Sequence, residues 1–150
     1  MMRADEQMRQ AVGSVPPGYA LADVRTAPAP PLVEATVAIV TSAALAHPGE
    51  PWPEGSHDFR LFDRDEDRLV MAHNSTNFDR TGFAADRNVV YPIDRLADMA
   101  RSGAIGGVAP RHASLLGSTF ELATFELDTA PRLARILRGD GVDIALLTPV

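Results

Sequence analysis

The chain contains no cysteine and no lysine in its 150 residues. Without cysteine, these residues hold no disulfide, no thiolate zinc ligand and no thiol nucleophile. Without lysine, a lysine-based Schiff base and P-loop chemistry are excluded from these residues. All 14 basic residues are arginine, which we read as codon bias rather than function. Long apolar runs are missing too, since nothing approaches the roughly 20 residues that span a bilayer. Residues 1–10 are charged and lack the apolar stretch of a signal peptide. Positive charge is in deficit: a net charge of −6 and a pI near 5.1 argue against a nucleic-acid or anionic-membrane surface. A Gly-x-Ser-x-Gly nucleophile elbow is absent. Gly103, Gly106 and Gly107 precede or interrupt a strand instead of opening a helix, so they form no dinucleotide fingerprint. His47 and His57 do not have the spacing of a known metal motif, and no metal site is expected. What remains is an expected acidic, cytoplasmic α/β domain.

What is present is organised. Residues 1–12 fit a short amphipathic helix. Pro16, Pro17, Pro28, Pro30 and Pro31 then fix φ and remove donors, so 1–31 reads as a helix and a Pro-rich arm. The domain proper is 32–150. Residues 36–41 (TVAIVT) are a continuous apolar run of strand length, followed by the small residues Ser42, Ala43 and Ala44. The loop 47–58 is rich in Pro and Gly and holds the single Trp52. Residues 59–62 and 69–71 are short apolar pieces that fit edge strands, and 89–92 is a short strand or an extended lead into a helix. Residues 93–102 carry apolar side chains at 93, 96, 97 and 100, with Gly103 as the stop. Residues 105–109 are a strand weakened by two glycines. Thr129 is the predicted N-cap of a helix over 130–138, with Pro131 in its first turn and Leu133, Ile136 and Leu137 facing the core. Residues 141–150 close the chain as a buried parallel strand ending on Thr-Pro-Val. This alternation predicts an α/β fold, a Rossmann-like and mostly parallel sheet flanked by helices. In such sheets ligands gather at the carboxyl ends of the strands.

Two polar clusters fall at such ends. His73 lies in sequence near Asn77, Asp79, Asp86 and Asn88. These can line a pocket where carboxylates orient an imidazole, or they can be a polar loop held by Asx-turns. Arg111, beside His112 and Ser114, can grip a substrate carboxylate through its bidentate fork, or form a surface ion pair.

Several blocks then resemble one family. They are Val37-Ala38-Ile39-Val40-Thr41-Ser42-Ala43, Asp58-Phe59-Arg60, His73 through Asp79, Asp86-Arg87-Asn88-Val89-Val90-Tyr91-Pro92-Ile93-Asp94-Arg95-Leu96, 103–112 with its Ala-Pro-Arg-His, and 140–150. In this order, over about residues 32 to 150, they resemble the selenoprotein B family of the glycine, sarcosine, betaine and D-proline reductases. In that family the Thr-Pro-Val strand end leads into a redox motif, selenocysteine or cysteine followed two residues later by cysteine. This sequence stops one residue short of that motif, either by truncation or because a selenocysteine UGA codon was read as a stop, the explanation we favour.

The resemblance implies a subunit of a reductase that cleaves a C–N bond of a small amino acid or amine derivative. It implies a pyruvoyl group on a partner subunit, a dithiol donor, an oligomeric assembly, and no cofactor in this chain. His73, Asp86 and His112 become the candidates for pocket and proton-transfer roles. Arg111, Asn88, Asp79 and Ser114 become the candidates for substrate binding, with Arg111 on its carboxylate. Two other readings stand beside it. One is a non-catalytic binding or assembly subunit that keeps the fold without the redox motif. The other is a hydrolase using His73 and Asp79, for which no nucleophile is recognised.

Overall fold

A computed structural model describes residues 6, 27–74, 80–117 and 122–150. The rest of the N-terminal arm before residue 27, Asn77 and Asp79 lie outside the described residues.

Thr36–Thr41 forms β1, and every residue after Thr36 is buried. Its unbroken apolar run suits a strand covered on both faces. β1 pairs in parallel with β7 (Ile144–Thr148), from Val37 opposite Ile144 to Thr41 opposite Thr148. On its other side it pairs, also in parallel, with β5 (Gly107–Val108) and then β6 (Arg111–Leu115). Val37 faces Val108 and Val40 faces Ala113, so the four residues from Ala109 to His112 stand opposite only Ala38 and Ile39. This is a bulge, and Pro110, which has no N–H to give the ladder, sits inside it. β3 (Phe59–Asp63) pairs antiparallel with β6 and closes that edge. The spatial order is therefore β3, then β5 and β6 end to end, then β1, then β7. This mixed sheet has a mostly parallel core flanked by helices, an α/β fold as expected. The short strands β2 (Leu45–Ala46) and β4 (Val70–Met71) form a separate antiparallel pair.

Alternation along β1 sends its side chains to two cores. Val37 and Ile39 pack with Tyr91, Leu96 and Ile105, on the face covered by α2 (Ile93–Arg101). Ala38 and Val40 pack with Leu133 and Leu137 of α3 (Ala130–Gly139) on the opposite face. Each such leucine contributes about 1.5–3 kcal/mol by leaving water. A third cluster joins Ala44, Ala46, Leu116 and Trp52, whose indole N–H donates to the Leu45 carbonyl at 3.1 Å. The arginine of the Asp58-Phe59-Arg60 block stacks on that indole, with its Cζ 4.5 Å from the ring centre, and caps the Glu50 and Pro51 carbonyls at 2.8 Å. A short α1 (Thr81–Ala85) and 3₁₀ turns at Leu32–Glu34 and Arg87–Val89 complete the described elements. No described helix is long and apolar enough to cross a membrane.

Three expectations need correction. Residues 89–92 form no strand, because Arg87–Val89 is wound as a 3₁₀ turn. Thr129 is not an N-cap: its φ of −61° and ψ of −51° are helical, and its hydroxyl donates to the His57 carbonyl at 2.7 Å. The helix runs back through it into a π-helical stretch, Phe125–Thr129, and a turn, Leu122–Thr124. β7 is parallel but not buried: Leu147 is 68% exposed, because its face of the strand borders an open cleft.

Candidate functional site

The carboxyl ends of β1, β6 and β7 meet at Ser42. Its amide donates to the Thr148 carbonyl at 3.2 Å and its carbonyl accepts from the Gly117 amide at 3.2 Å. Its hydroxyl accepts from the Val150 amide at 2.9 Å. The chain leaving β1 turns back here through Ala44, a non-glycine residue held at a φ of 51°, and Leu45 donates its amide to the Ser114 hydroxyl at 2.8 Å. Left-handed alanine costs energy, so this turn is held against local preference by its surroundings. Thr148, the last residue of β7, fixes its hydroxyl on the Val90 carbonyl at 2.9 Å.

His73 stands against this junction. It is 4% exposed, and its Nε2 would lie 3.5 Å from a Cβ added at Gly117, a position also 3.1 Å from the Ser42 carbonyl. Only glycine leaves that space open. Burial pushes the His73 imidazole below its ordinary pKa, and the Arg80 guanidinium adds to the shift. The ring is therefore neutral at pH 7, able to accept a proton and to donate one.

On the sheet side of the Pro110 bulge, His112 is fully buried and its Nδ1 accepts from the Ile39 amide at 3.0 Å. That bond puts the ring proton on Nε2. Burial, helped by Arg64, lowers the imidazole pKa to about 4. The His112 Nε2 and the Tyr91 hydroxyl are buried without a hydrogen-bond partner among the described residues. Their rings meet edge to face at 5.6 Å.

The remaining sequence candidates have other partners. Arg111 grips Asp140 with two bonds, 2.9 Å from Nε and 2.7 Å from an Nη. A substrate carboxylate would have to displace Asp140. Asp86 accepts from the Asn88 amide at 2.9 Å and from its side chain at 2.7 Å. Asn88 in turn accepts from the Asp94 amide at 3.1 Å, so the Asp-x-Asn block caps the first turn of α2. These bonds to Asn88, first its backbone amide and then its side chain, hold the Asp86 carboxyl below its usual range. The structure thus groups His73 with Ser42, Gly117 and Val150. Ser114 is fully buried and its hydroxyl accepts from the Leu45 amide instead. Sequence reasoning marked Ser42 only as the start of a small-residue turn and missed Gly117, whose role appears only when three strand ends converge.

Beside the junction an apolar cleft of about 520 Å³ opens between β7 and α3. Ser42, Thr148 and Pro149 rim it, and Val40, Leu133, Leu137 and Leu147 line it. Among the described residues no group of three potential metal-ligating side chains occurs.

Fold and site define an α/β protein with a buried neutral imidazole and an apolar cleft at the carboxyl ends of parallel strands. No family model and no solved structure matches the chain. A relative is found in Acetoanaerobium sticklandii: D-proline reductase subunit gamma, 30% identical over 119 residues, 78% of this chain and 49% of the relative. The chain is distantly related to that reductase subunit and spans about half its length.

Proposed function

We propose that this chain forms the substrate side of a reductase subunit that cleaves a C–N bond of an amino acid or amine derivative. The reducing selenol or thiol would be carried by a motif directly after Val150. The observation that carries the reading is the Val150 amide, fixed 2.9 Å away on the hydroxyl of Ser42, the residue whose carbonyl accepts from Gly117. The relation to a protein named as a D-proline reductase subunit supports the reaction class. The motif would supply a low-pKa nucleophile and the electron pair for the cleavage. A pyruvoyl group on a partner subunit would hold the substrate amine. This chain's own residues orient the strand end through Ser42 and Thr148. They also keep a neutral imidazole, His73, within reach for proton transfer.

The coding DNA tests this first: a UGA or cysteine codon is expected after Val150, with a further cysteine following. In the extended protein, Gly117→Val should lower kcat by at least about tenfold, since misplacing a reacting group by an ångström costs that much or more. His73→Asn should lower kcat and remove a limb of its pH profile. A UAA or UAG codon, or unchanged kinetics in both variants, would remove the reading. A second reading, a non-catalytic assembly subunit, is favoured by the exposed apolar edge of β7. An extended protein that binds its partners and releases no amine from any candidate substrate would select it.

A further inference from the structure

The cleft between α3 and β7 has a definite place in the winding of the sheet. From β1 the chain reaches β5 and β6 on one side, with α2 on the face of Val37 and Ile39. From β6 it returns past β1 to β7, with α3 on the face of Ala38 and Val40. Direction and face reverse together, so both crossovers share one hand, as the near-universal right-handedness of such connections requires.

β7 is paired along one edge, to β1, and no described strand pairs with the other. Exposed edges are usually guarded by charge, proline or a bulge. Ile144, Ala145, Leu146, Leu147 and Thr148 offer no charge at all. Leu146 on one face is 37% exposed and Leu147 on the other 68%. Apolar side chains on both faces are what a strand inside a parallel sheet carries. A third crossover of the same hand, continuing beyond β7, would lay its helix on the α3 face. That position is the apolar cleft.

We propose that β7 is an interior strand of the whole protein, covered by an amphipathic helix and then a parallel strand. The helix fills the cleft against Ala134, Leu137 and Leu147, and the strand pairs with the free edge of β7. The occupant is polypeptide of the same reading frame beyond Val150. The chain spans about half of its relative, and Val150 is anchored on Ser42 at the rim of this cleft, where a crossover would begin. The small Ala130 and Ala134 on the cleft side of α3 let a second helix approach closely. None of this needs a redox residue. A downstream helix and strand without cysteine would end the reductase reading and leave this one standing.

The test compares the 150-residue chain with the protein made from the full reading frame. Amide exchange at 144–148 should be at least about 100-fold slower in the longer protein, as a strand gains protection when both edges are paired. Leu147→Asp should leave the Tm of the 150-residue chain unchanged and lower that of the longer protein by several degrees. Should that variant not accumulate, Ala134→Glu makes the same comparison from the α3 side. Equal exchange in the two proteins, an equal effect of the substitution in both, or a reading frame without a helix and strand would overturn the proposal. Protection of β7 that grows only with the concentration of the 150-residue chain would give the site to a second copy, and would overturn it equally.

Discussion

Burying a histidine in a sheet requires that something replace its hydration, and His112 meets only half of that requirement. Its Nδ1 accepts the Ile39 amide that the Pro110 bulge leaves over, while Nε2 has no partner among the described residues. The consequence is a pH dependence of stability whose sign is fixed. The folded pKa of about 4 lies below the ordinary 6.5, so between these values the unfolded chain binds the proton and the folded one does not. Stability from this residue is complete above pH 6.5 and declines as pH falls toward 4, by on the order of 3 kcal/mol in all. His112→Gln, whose side-chain carbonyl still accepts a hydrogen bond, should flatten the fall in Tm between pH 6.5 and 4.5. An unchanged slope in thermal melts across that range would put the titration elsewhere. At the residue scale, neighbours in sequence need not share a site. Arg111 and His112 adjoin in sequence and so read as one cluster. Successive strand residues point to opposite faces, so Arg111 reaches Asp140 while His112 turns inward onto Ile39.

At the scale of elements, the strongest local patterns were legible. The run of 36–41 became β1 with those bounds, and the stripe at 93, 96, 97 and 100 became α2. Gly103 takes the left-handed turn that ends it, at a φ of 73°. Thr129 read as a cap because Thr before Ala-Pro has the right composition. A π-helical stretch joined to α3 has no comparable signature, since it depends on packing rather than on periodicity. Gly106 weakened a strand on propensity grounds, yet its absent side chain is the point. A Cβ there would fall 2.3 Å from the Glu34 carbonyl carbon. Gly106→Ala should therefore destabilise the protein by about 1–3 kcal/mol, by the cost of overpacking, read as a lower urea midpoint with an unchanged m value. A neutral effect would mean that the turn at 32–34 can move aside. Asp86→Ala removes the side chain that receives the Asn88 amide, and should lower Tm modestly while leaving the Michaelis constant of the extended protein unchanged. A raised Michaelis constant would return Asp86 to the substrate pocket.

The whole molecule sets what neither residues nor elements could. Parallel strands, a polar end and an alternation of helices were expected, and the sheet has them. Strand order was not legible, because pairing between β1 and β7 joins residues 107 positions apart, as Thr41 with Thr148. Local patterning carries no information at that range. By itself, the sequence determined the chemistry that is missing from these residues, the apolar runs that must be covered, and a likeness to a reductase family. The first two follow from composition and short-range periodicity and the likeness from the matching residue blocks, none of which needs the fold. Only the tertiary structure decided which residues meet. Ser42, Gly117, His73 and Val150 are scattered in sequence and join because three strand ends converge. Ala145, Leu146 and Leu147 of β7 were read as buried, yet they are exposed, because burial depends on neighbours and not on the residue alone.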